Sequence, residues 1–316
     1  MSPDEGLVCC TAGDREFALR GADVRQIVPA EKMRTAGGDD TIAGTLDLDG
    51  QAVPVFRLEN VLGRTASRRH PRGPDNCHIA VTGDRSEIVG WLVDRVVHTP
   101  LSDDTKMSPL PAIIGPAARS WFEAVVKLDG TSILLIAPQY LNPLAQQPVN
   151  PDVRATFAPV GQGKTADATE PIVLLFSTQA LPRCAATRFA LSGRQVAAIA
   201  QPMSTIPVPG SATYVTGVAW WRDLVVPVID FRGWSEHDDG TERRRQLIAH
   251  CGPRLGNALV AFEVDAEITL HRPGAGNQMT AGVQCPPFAA GMFDIGGESV
   301  ALLDLDLLLW AGVPQS

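Results

Sequence analysis

The chain repeats itself, and that constrains its fold more than any other feature. The segment REFALRGADVRQIVP (15–29) returns as TRFALSGRQVAAIAQP (187–202). Phe17-Ala18-Leu19 matches Phe189-Ala190-Leu191, and Gly21, Val24 and Ile27 match Gly193, Val196 and Ile199, all 172 residues apart. TIAGTLDLDGQAVPVFRL (41–58) aligns with YVTGVAWWRDLVVPVIDF (214–231), with Gly44 on Gly217 and Pro54 on Pro227 at an offset of 173. GWLVDRV (90–96) faces AFEVDAE (261–267), Asp94 on Asp265, at 171, and KLDGTSILLIAPQYL (127–141) faces DIGGESVALLDLDLL (294–308) at 167. Four blocks in the same order with small drifts are what a duplication followed by loop insertions and deletions produces. The chain therefore reads as two homologous domains, 1–148 and 171–316, joined by a linker over 149–170.

The linker contains APVGQGKT (158–165), which fits a loosened phosphate-loop pattern with Ala158 in place of the leading glycine. That loop requires a buried strand leading in and a helix starting at Gly-Lys-Thr, so that helix amides face the phosphates. Here the flanking residues are rich in Pro, Ala, Thr and Gly without strand or helix period, and Pro171 follows within a few residues. A nucleotide hydrolase using Lys164 is rejected on that ground.

The 316 residues, 45% hydrophobic and 20% charged, suffice for two packed cores. A net charge of -8 disfavours nucleic acid and anionic membrane surfaces as partners. MSPDEG at the N-terminus lacks the features of a signal peptide, and no run of about 18 apolar residues is available for membrane insertion. The six cysteines, at 9, 10, 77, 184, 251 and 285, include no Cys-x-x-Cys pair. The expectation is a cytoplasmic protein with reduced thiols.

Within each half the segments are short, β-branched and punctuated by Gly, Pro, Asn and Asp. Strands are expected near 7–11, 15–20, 23–28, 43–48, 51–57, 77–82, 87–98 and 122–137, and again near 172–177, 187–192, 195–200, 215–221, 224–231, 246–251, 257–270 and 288–303. Arg20-Gly21, Asp49-Gly50, Asp129-Gly130 and Gly296-Gly297 read as hairpin turns. This all-β pattern suggests sandwich or barrel units. Each half closes on a helix, 138–146 and 305–311, the second with Asp304 as N-cap, and a short helix near 57–63 also fits. The charged stretches 64–75 and 235–245 occupy equivalent places and read as solvated loops.

Chemistry is scarce. Cys77-His78 and His250-Cys251 stand at places that match in the repeat, but neighbours on a strand point to opposite faces and cannot share a metal. Asp94 and Asp265, in separate domains, cannot form an acid–base pair and are expected to accept local backbone hydrogen bonds. No Gly-x-Ser-x-Gly, His-Glu-x-x-His or Gly-x-Gly-x-x-Gly string occurs in context. No enzyme, cofactor or metal reading has residues to stand on. What stands out is Trp220-Trp221-Arg222. Strand alternation sends the two rings to opposite faces, one into a core and the other towards a neighbouring subdomain, a partner or water. A tryptophan beside an arginine is interface composition.

Taken together, these blocks resemble the CheW-like coupling domain of bacterial chemotaxis. The family pattern runs F-x-L, then a G…R-G…P-V-x-D-L block, then G-x-x-V-D-x-V, then a closing apolar strand and a Leu-rich helix. The central block stands here as GTLDLDGQAVPVFRL and GVAWWRDLVVPVIDF. The resemblance implies tandem domains, each a pair of small SH3-like β-barrels with a short C-terminal helix. It implies a non-enzymatic adaptor that couples the cytoplasmic tips of chemoreceptors to the regulatory domain of the chemotaxis histidine kinase. The alternative is a diverged module serving another chemosensory system, such as pilus motility. At the family's Arg-Gly pair the first half has Asp49-Gly50 and the second Arg222-Asp223. The family Asp after Pro-Val is Arg57 in the first half and Asp230 in the second. The expected partner-contacting residues are Asp49 and Gly50 in the first half and Gly217, Trp220, Trp221 and Arg222 in the second.

Overall fold

The offsets of the sequence repeat reappear as hydrogen-bond register. The computed structural model describes residues 6–35, 41–62, 77–83, 88–137, 172–177, 188–212, 214–230, 244–252, 255, 258–265, 267–272 and 288–311. The linker 149–170, the helix expected at 138–146, and the charged loops 64–75 and 235–243 lie outside the described residues. The chain divides into two compact units, built mainly from Met1–Leu110 with Gly115–Asp152, and from Val153–Pro207 with Ser211–Ser316.

The first unit contains β1 (Gly6–Ala12), β2 (Arg15–Arg20), β3 (Val24–Pro29), β4 (Met33–Thr35), β5 (Ile42–Leu48), β6 (Gln51–Arg57), α1 (Leu58–Val61), β7 (His78–Thr82), β8 (Val89–Val93), β9 (Arg95–Pro100), β10 (Lys106–Pro109), α2 (Pro116–Trp121), β11 (Phe122–Leu128) and β12 (Thr131–Ile136). They form two curled sheets, ordered β10-β11-β12-β2-β1-β9 and β3-β7-β8-β6-β5-β4. The second unit contains β13 (Val173–Ser177), β14 (Arg188–Ser192), β15 (Val196–Ala200), β16 (Val215–Trp221), β17 (Leu224–Ile229), β18 (Arg244–His250), β19 (Leu259–Asp265), β20 (Ile268–His271), β21 (Ala289–Ile295), β22 (Glu298–Leu303) and α3 (Leu305–Ala311). Its sheets run β20-β13-β14-β22-β21 and β15-β18-β19-β17-β16. Strand for strand, among the described residues, these are the orders of the first unit without β4 and β10.

Equivalence holds to the residue. Phe17 lies opposite Leu134 and Phe189 opposite Ala301, which preserves the offsets of 172 and 167. Gly44 pairs with Val55 and Gly217 with Val228, each just after a β-bulge. Val55 meets Gly90 and Val228 meets Ala261. Arg57 donates its N–H to the Thr41 carbonyl, and Asp230 donates to Tyr214 at the same distance, 2.9 Å.

Central strands bury side chains on both faces: Ile79, Ala80 and Val81 in succession in the first unit, and Leu247, Ile248 and Ala249 in the second. Around Val53, Val55, Ile79 and Val81 one cluster fills the sheet of β3–β8, and Val226, Val228, Ile248 and Ala261 fill its counterpart. Aromatic filling is exchanged between the other two sheets. Phe17 stacks on Phe122 (ring centroids 6.1 Å apart), whereas Phe189 packs on Phe176 at 6.2 Å. By register Cys10 occupies the place of Phe176, and Ala289 that of Phe122, so one large ring serves each core from opposite sides.

The turns follow their chemistry. Asp49-Gly50 and Asp129-Gly130 both have positive φ at both residues, as does Gly296-Gly297. Helix α3 starts where Asp304 Oδ1 accepts the Leu307 N–H at 3.0 Å, an N-cap bond.

Four expectations need correction. Arg20-Gly21 is not a hairpin turn: Arg20 is extended (φ -67°) and Gly21–Asp23 form a 3-10 turn that carries the chain from one sheet into the other. The run 87–98 is two strands in different sheets, broken at Asp94, and 257–270 breaks likewise after Asp265. Asp94 does accept a backbone bond, but from a distant donor, the Gly13 N–H at 2.9 Å, while Cys77 Sγ lies 3.9 Å from its other oxygen. His78 and His250 are not equivalent. His78 opens β7 opposite Val93, and the equivalent position, opposite Val264, is Arg245; His250 closes β18 opposite Leu259.

Cys9, Cys10, Cys77 and Cys251 are free thiols. Burial pushes the Cys10 thiol up to about 12, reinforced by Cys9, and burial with the Asp306 carboxylate nearby does the same for Cys251. The folded protein then keeps these protons where an unfolded chain, titrating near 9, loses them. Stability from this source is complete below about pH 9 and falls as pH rises towards 12. Alkylation at pH 8 with peptide mapping should leave Cys10 and Cys251 unlabelled until denaturant is added; labelling as fast as in the unfolded chain would contradict their burial.

Candidate partner-binding hairpins

The two hairpins β5–β6 and β16–β17 occupy the same place in their repeats and present different chemistry. In the first, Asp49 (φ 53°) and Gly50 (φ 84°) form the exposed tip, and Asp47 Oδ1 accepts the Gly50 N–H at 3.0 Å. The Asp47 side chain is thereby held by its own turn, and the tip presents acceptors only.

In the second, Arg222 takes the left-handed conformation (φ 56°) that Asp49 takes in the first. A non-glycine residue there carries a conformational cost of order 1 kcal/mol. The guanidinium carbon lies 4.5 Å from the centroid of the Trp221 ring, a cation–π contact worth about 0.5–1 kcal/mol at an exposed site. Arg222 is thus pre-ordered with its donors exposed, next to Leu224, which is 52% exposed.

Alternation of the tryptophans is as the sequence implies. Trp221 packs against the core cluster of its sheet, in company with Ala197, Ala200 and Met203. Trp220 is half-buried, and its Nε1 is shielded from solvent without a hydrogen-bond partner among the described residues. By register Trp220 stands where the first repeat has the exposed Asp47, and Trp221 where it has Leu48.

Gly217 is buried, so it shapes the hairpin's strand from within. A Cβ on it would lie 2.1 Å from the Ile206 carbonyl oxygen; a Cβ on Gly44 would lie 2.2 Å from that of Arg34. Only glycine admits that crossing backbone. In the first repeat the crossing segment is strand β4; in the second it is a bridge between Ile206 and Val218, assisted by Gln246 Oε1, which accepts the Met203 N–H at 2.9 Å.

Reading the sequence did not separate a set of exposed aliphatic residues from the core. Ile27, Val97, Ile199 and Leu270 are between 39% and 72% exposed. They lie on edge strands β3, β9, β15 and β20. Ile27 and Ile199 were visible as a repeat match, but only the strand order shows that both sit at an edge.

The architecture defines a class, a duplicated pair of small curled β-sheets that expose hairpin tips and sheet edges among the described residues. The CheW-like domain family model matches residues 6–143 and 181–311, and the chain belongs to that family, whose members are chemotaxis scaffold and adaptor domains. Over 134 residues, 41% of this chain and 82% of the relative, it is 28% identical to the chemotaxis protein CheW of Rhizobium meliloti (strain 1021). It is also similar to the scaffolding protein TtCheW of Thermoanaerobacter tengcongensis, at 19% identity and a TM-score of 0.35, with 42% of this chain and 89% of that one covered.

Proposed function

We propose that the protein is a tandem, non-enzymatic coupling scaffold of the cytoplasm, joining chemoreceptor cytoplasmic tips to the regulatory domain of a chemotaxis histidine kinase. Its domains are 1–148 and 171–316, with 149–170 as linker. The observation that carries this reading is the recurrence of the strand order in both repeats, β4 and β10 apart, with an exposed hairpin tip at the same place in each. The strands of both hairpins carry core side chains, Val53 and Val55 in one and Val226 and Val228 in the other, so it is the exposed tips that are available to a partner.

Arg222, with Trp220 and Trp221 behind it, is the principal contact of the second domain, and Asp49 with Gly50 forms its counterpart in the first. Gly217 acts through the strand it shapes. Two sites on one linker raise the effective concentration of the second partner once the first is bound. Departure of both tips from the family's Arg-Gly pair favours one further reading, a system other than flagellar chemotaxis, such as pilus motility, with its own kinase and receptor. The test is co-purification of the full chain with the kinase regulatory domain of the same genome. Retention of that domain is expected; its absence, with each protein folded, sinks the coupling reading.

A further inference from the structure

Among the described residues, β20 has a single strand neighbour, β13. It carries Leu270, which at 72% is more exposed than any other large hydrophobic side chain described. Hydrogen-bond parity fixes which residues of β20 face outward. The Gly193 N–H donates to the Ile172 carbonyl at 2.7 Å, so Ile172, Leu174 and Phe176 turn their backbone groups to β14, and Val173 and Leu175 turn theirs to β20. Thr269 and His271, opposite Leu175 and Val173, therefore bond inward. Ile268, Leu270 and, next in the alternation, Arg272 point their N–H and C=O groups away from the sheet, with no described strand to receive them.

The first repeat blunts the same edge. Val96 lies opposite Cys10 and Ile268 opposite Phe176, and Cys10 and Phe176 are equivalent through Phe17 and Phe189. His98 thus stands in the place of Leu270, and Pro100, which has no N–H, in the place of Arg272. The second repeat keeps an apolar residue and a donor at those two outward positions.

An open edge of this kind accepts another strand, and this one is complementary to itself. A twofold axis at Thr269 sets Ile268 opposite Leu270 of a second copy, and Glu267 opposite His271 of that copy. Ile268 and Leu270 are outward residues, so each such pair exchanges both of its backbone bonds. Apolar side chains meet on one face. On the other, a carboxylate meets an imidazole, and no like charges are opposed. Glu267 is exposed and has no ion-pair partner among the described residues. The register centred on Leu270 also satisfies the parity, but it sets Ile268 against the Arg272 guanidinium and loses this match.

We propose that β20 pairs antiparallel with β20 of a second copy of this chain, which makes the second repeat a self-association site that the first repeat lacks. Self-association at this edge is independent of coupling to a kinase or receptor. The contact is short and buries less than the roughly 1,200 Å² of a standard interface, so a dissociation constant on the order of 100 µM is expected.

Sedimentation velocity of the full chain between about 10 and about 500 µM should show the mass rising from monomer towards dimer. Thr269→Cys places two thiols on the twofold axis, at a pair without mutual backbone bonds where Cβ atoms approach disulfide range. With diamide as oxidant it should form a covalent dimer about tenfold or more faster than Leu270→Cys, although Leu270 is open to random collision. Leu270→Pro removes an outward donor and no bond to β13, and should weaken dimerisation about tenfold or more, with a melt close to the parent's. The two cysteine variants decide the matter if the proline unfolds the domain. A mass that stays monomeric at about 500 µM, or equal cross-linking of the two cysteine variants, overturns the proposal. So does a monomeric chain whose binding of the kinase regulatory domain falls in Leu270→Pro, which would assign the edge to that partner.

Discussion

Gly217→Ala should cost the second repeat about 3 kcal/mol and lower its melting temperature by roughly 10 °C. The added Cβ would lie 2.1 Å from the Ile206 carbonyl oxygen and 2.6 Å from its carbon, and neither is the far end of a flexible side chain. To make room, the backbone of 206 must leave Val218, breaking the reciprocal bonds Ile206 N–H to Val218 (2.8 Å) and Val218 N–H to Ile206 (2.9 Å). Each bond is worth about 0.5–1.5 kcal/mol net. Gly217 also has φ 155°, where a side chain adds strain of order 1 kcal/mol. Gly44→Ala should do the same to the first repeat through the Arg34 carbonyl at 2.2 Å. Gly50→Ala is the control, because nothing among the described residues lies within 4 Å of its Cβ position and only its φ of 84° is strained, so about 1 kcal/mol is expected. Calorimetric melts of the three variants decide the matter; a Gly217→Ala melt within about 1 °C of the parent would show that the crossing backbone yields freely.

Arg222→Ala should weaken binding of the kinase regulatory domain about thirtyfold, a loss of ~2 kcal/mol, whereas Asp49→Ala should change it less than threefold. The two residues sit at equivalent turns with nearly equal φ, 56° and 53°, so backbone geometry does not separate them. Their chemistry does. Arg222 offers a fork of donors held against the Trp221 ring, and the ordering of that side chain is already accomplished in the free protein. Asp49 stands beside Asp47 at a tip that repels any acidic partner surface. Removal of the guanidinium also uncovers the Trp221 face, and melts must show that the variant stays folded. Equal losses from the two variants would remove the asymmetry between the repeats, and a larger loss from Asp49→Ala would place the dominant contact in the first.

The duplication was legible because its offsets are geometric. A match of Phe17 with Phe189 or Gly44 with Gly217 implies the same strand in the same register, and the ladders repeat at those offsets. Turn chemistry was legible where glycine or aspartate sits in positive φ, as at Asp49-Gly50 and Asp129-Gly130. It misled at Arg20-Gly21, where the same residue types open a 3-10 turn instead. The run 87–98 conceals a change of sheet, because strand-forming residues stand on both sides of Asp94; the bonds around Asp94 mark the corner. Short elements escaped for lack of length. β4 has three residues, β10 four, and α2 six, although Pro116 at the start of α2 is a recognisable first-turn signal. At the candidate site the sequence separated Trp220 from Trp221 by alternation. It could not reveal the stacking of Arg222 or the burial of Gly217, since both depend on what crosses the strand.

The central claim is that one chain couples two partners, and light scattering on a size-exclusion column tests it most directly. The full chain is mixed with the kinase regulatory domain and with a receptor-tip helical hairpin from the same genome. A single peak whose mass requires all three components is the predicted result, with the kinase domain leaving the complex in Arg222→Ala. Separate elution of the chain from both partners at concentrations of about ten micromolar and above would contradict the account.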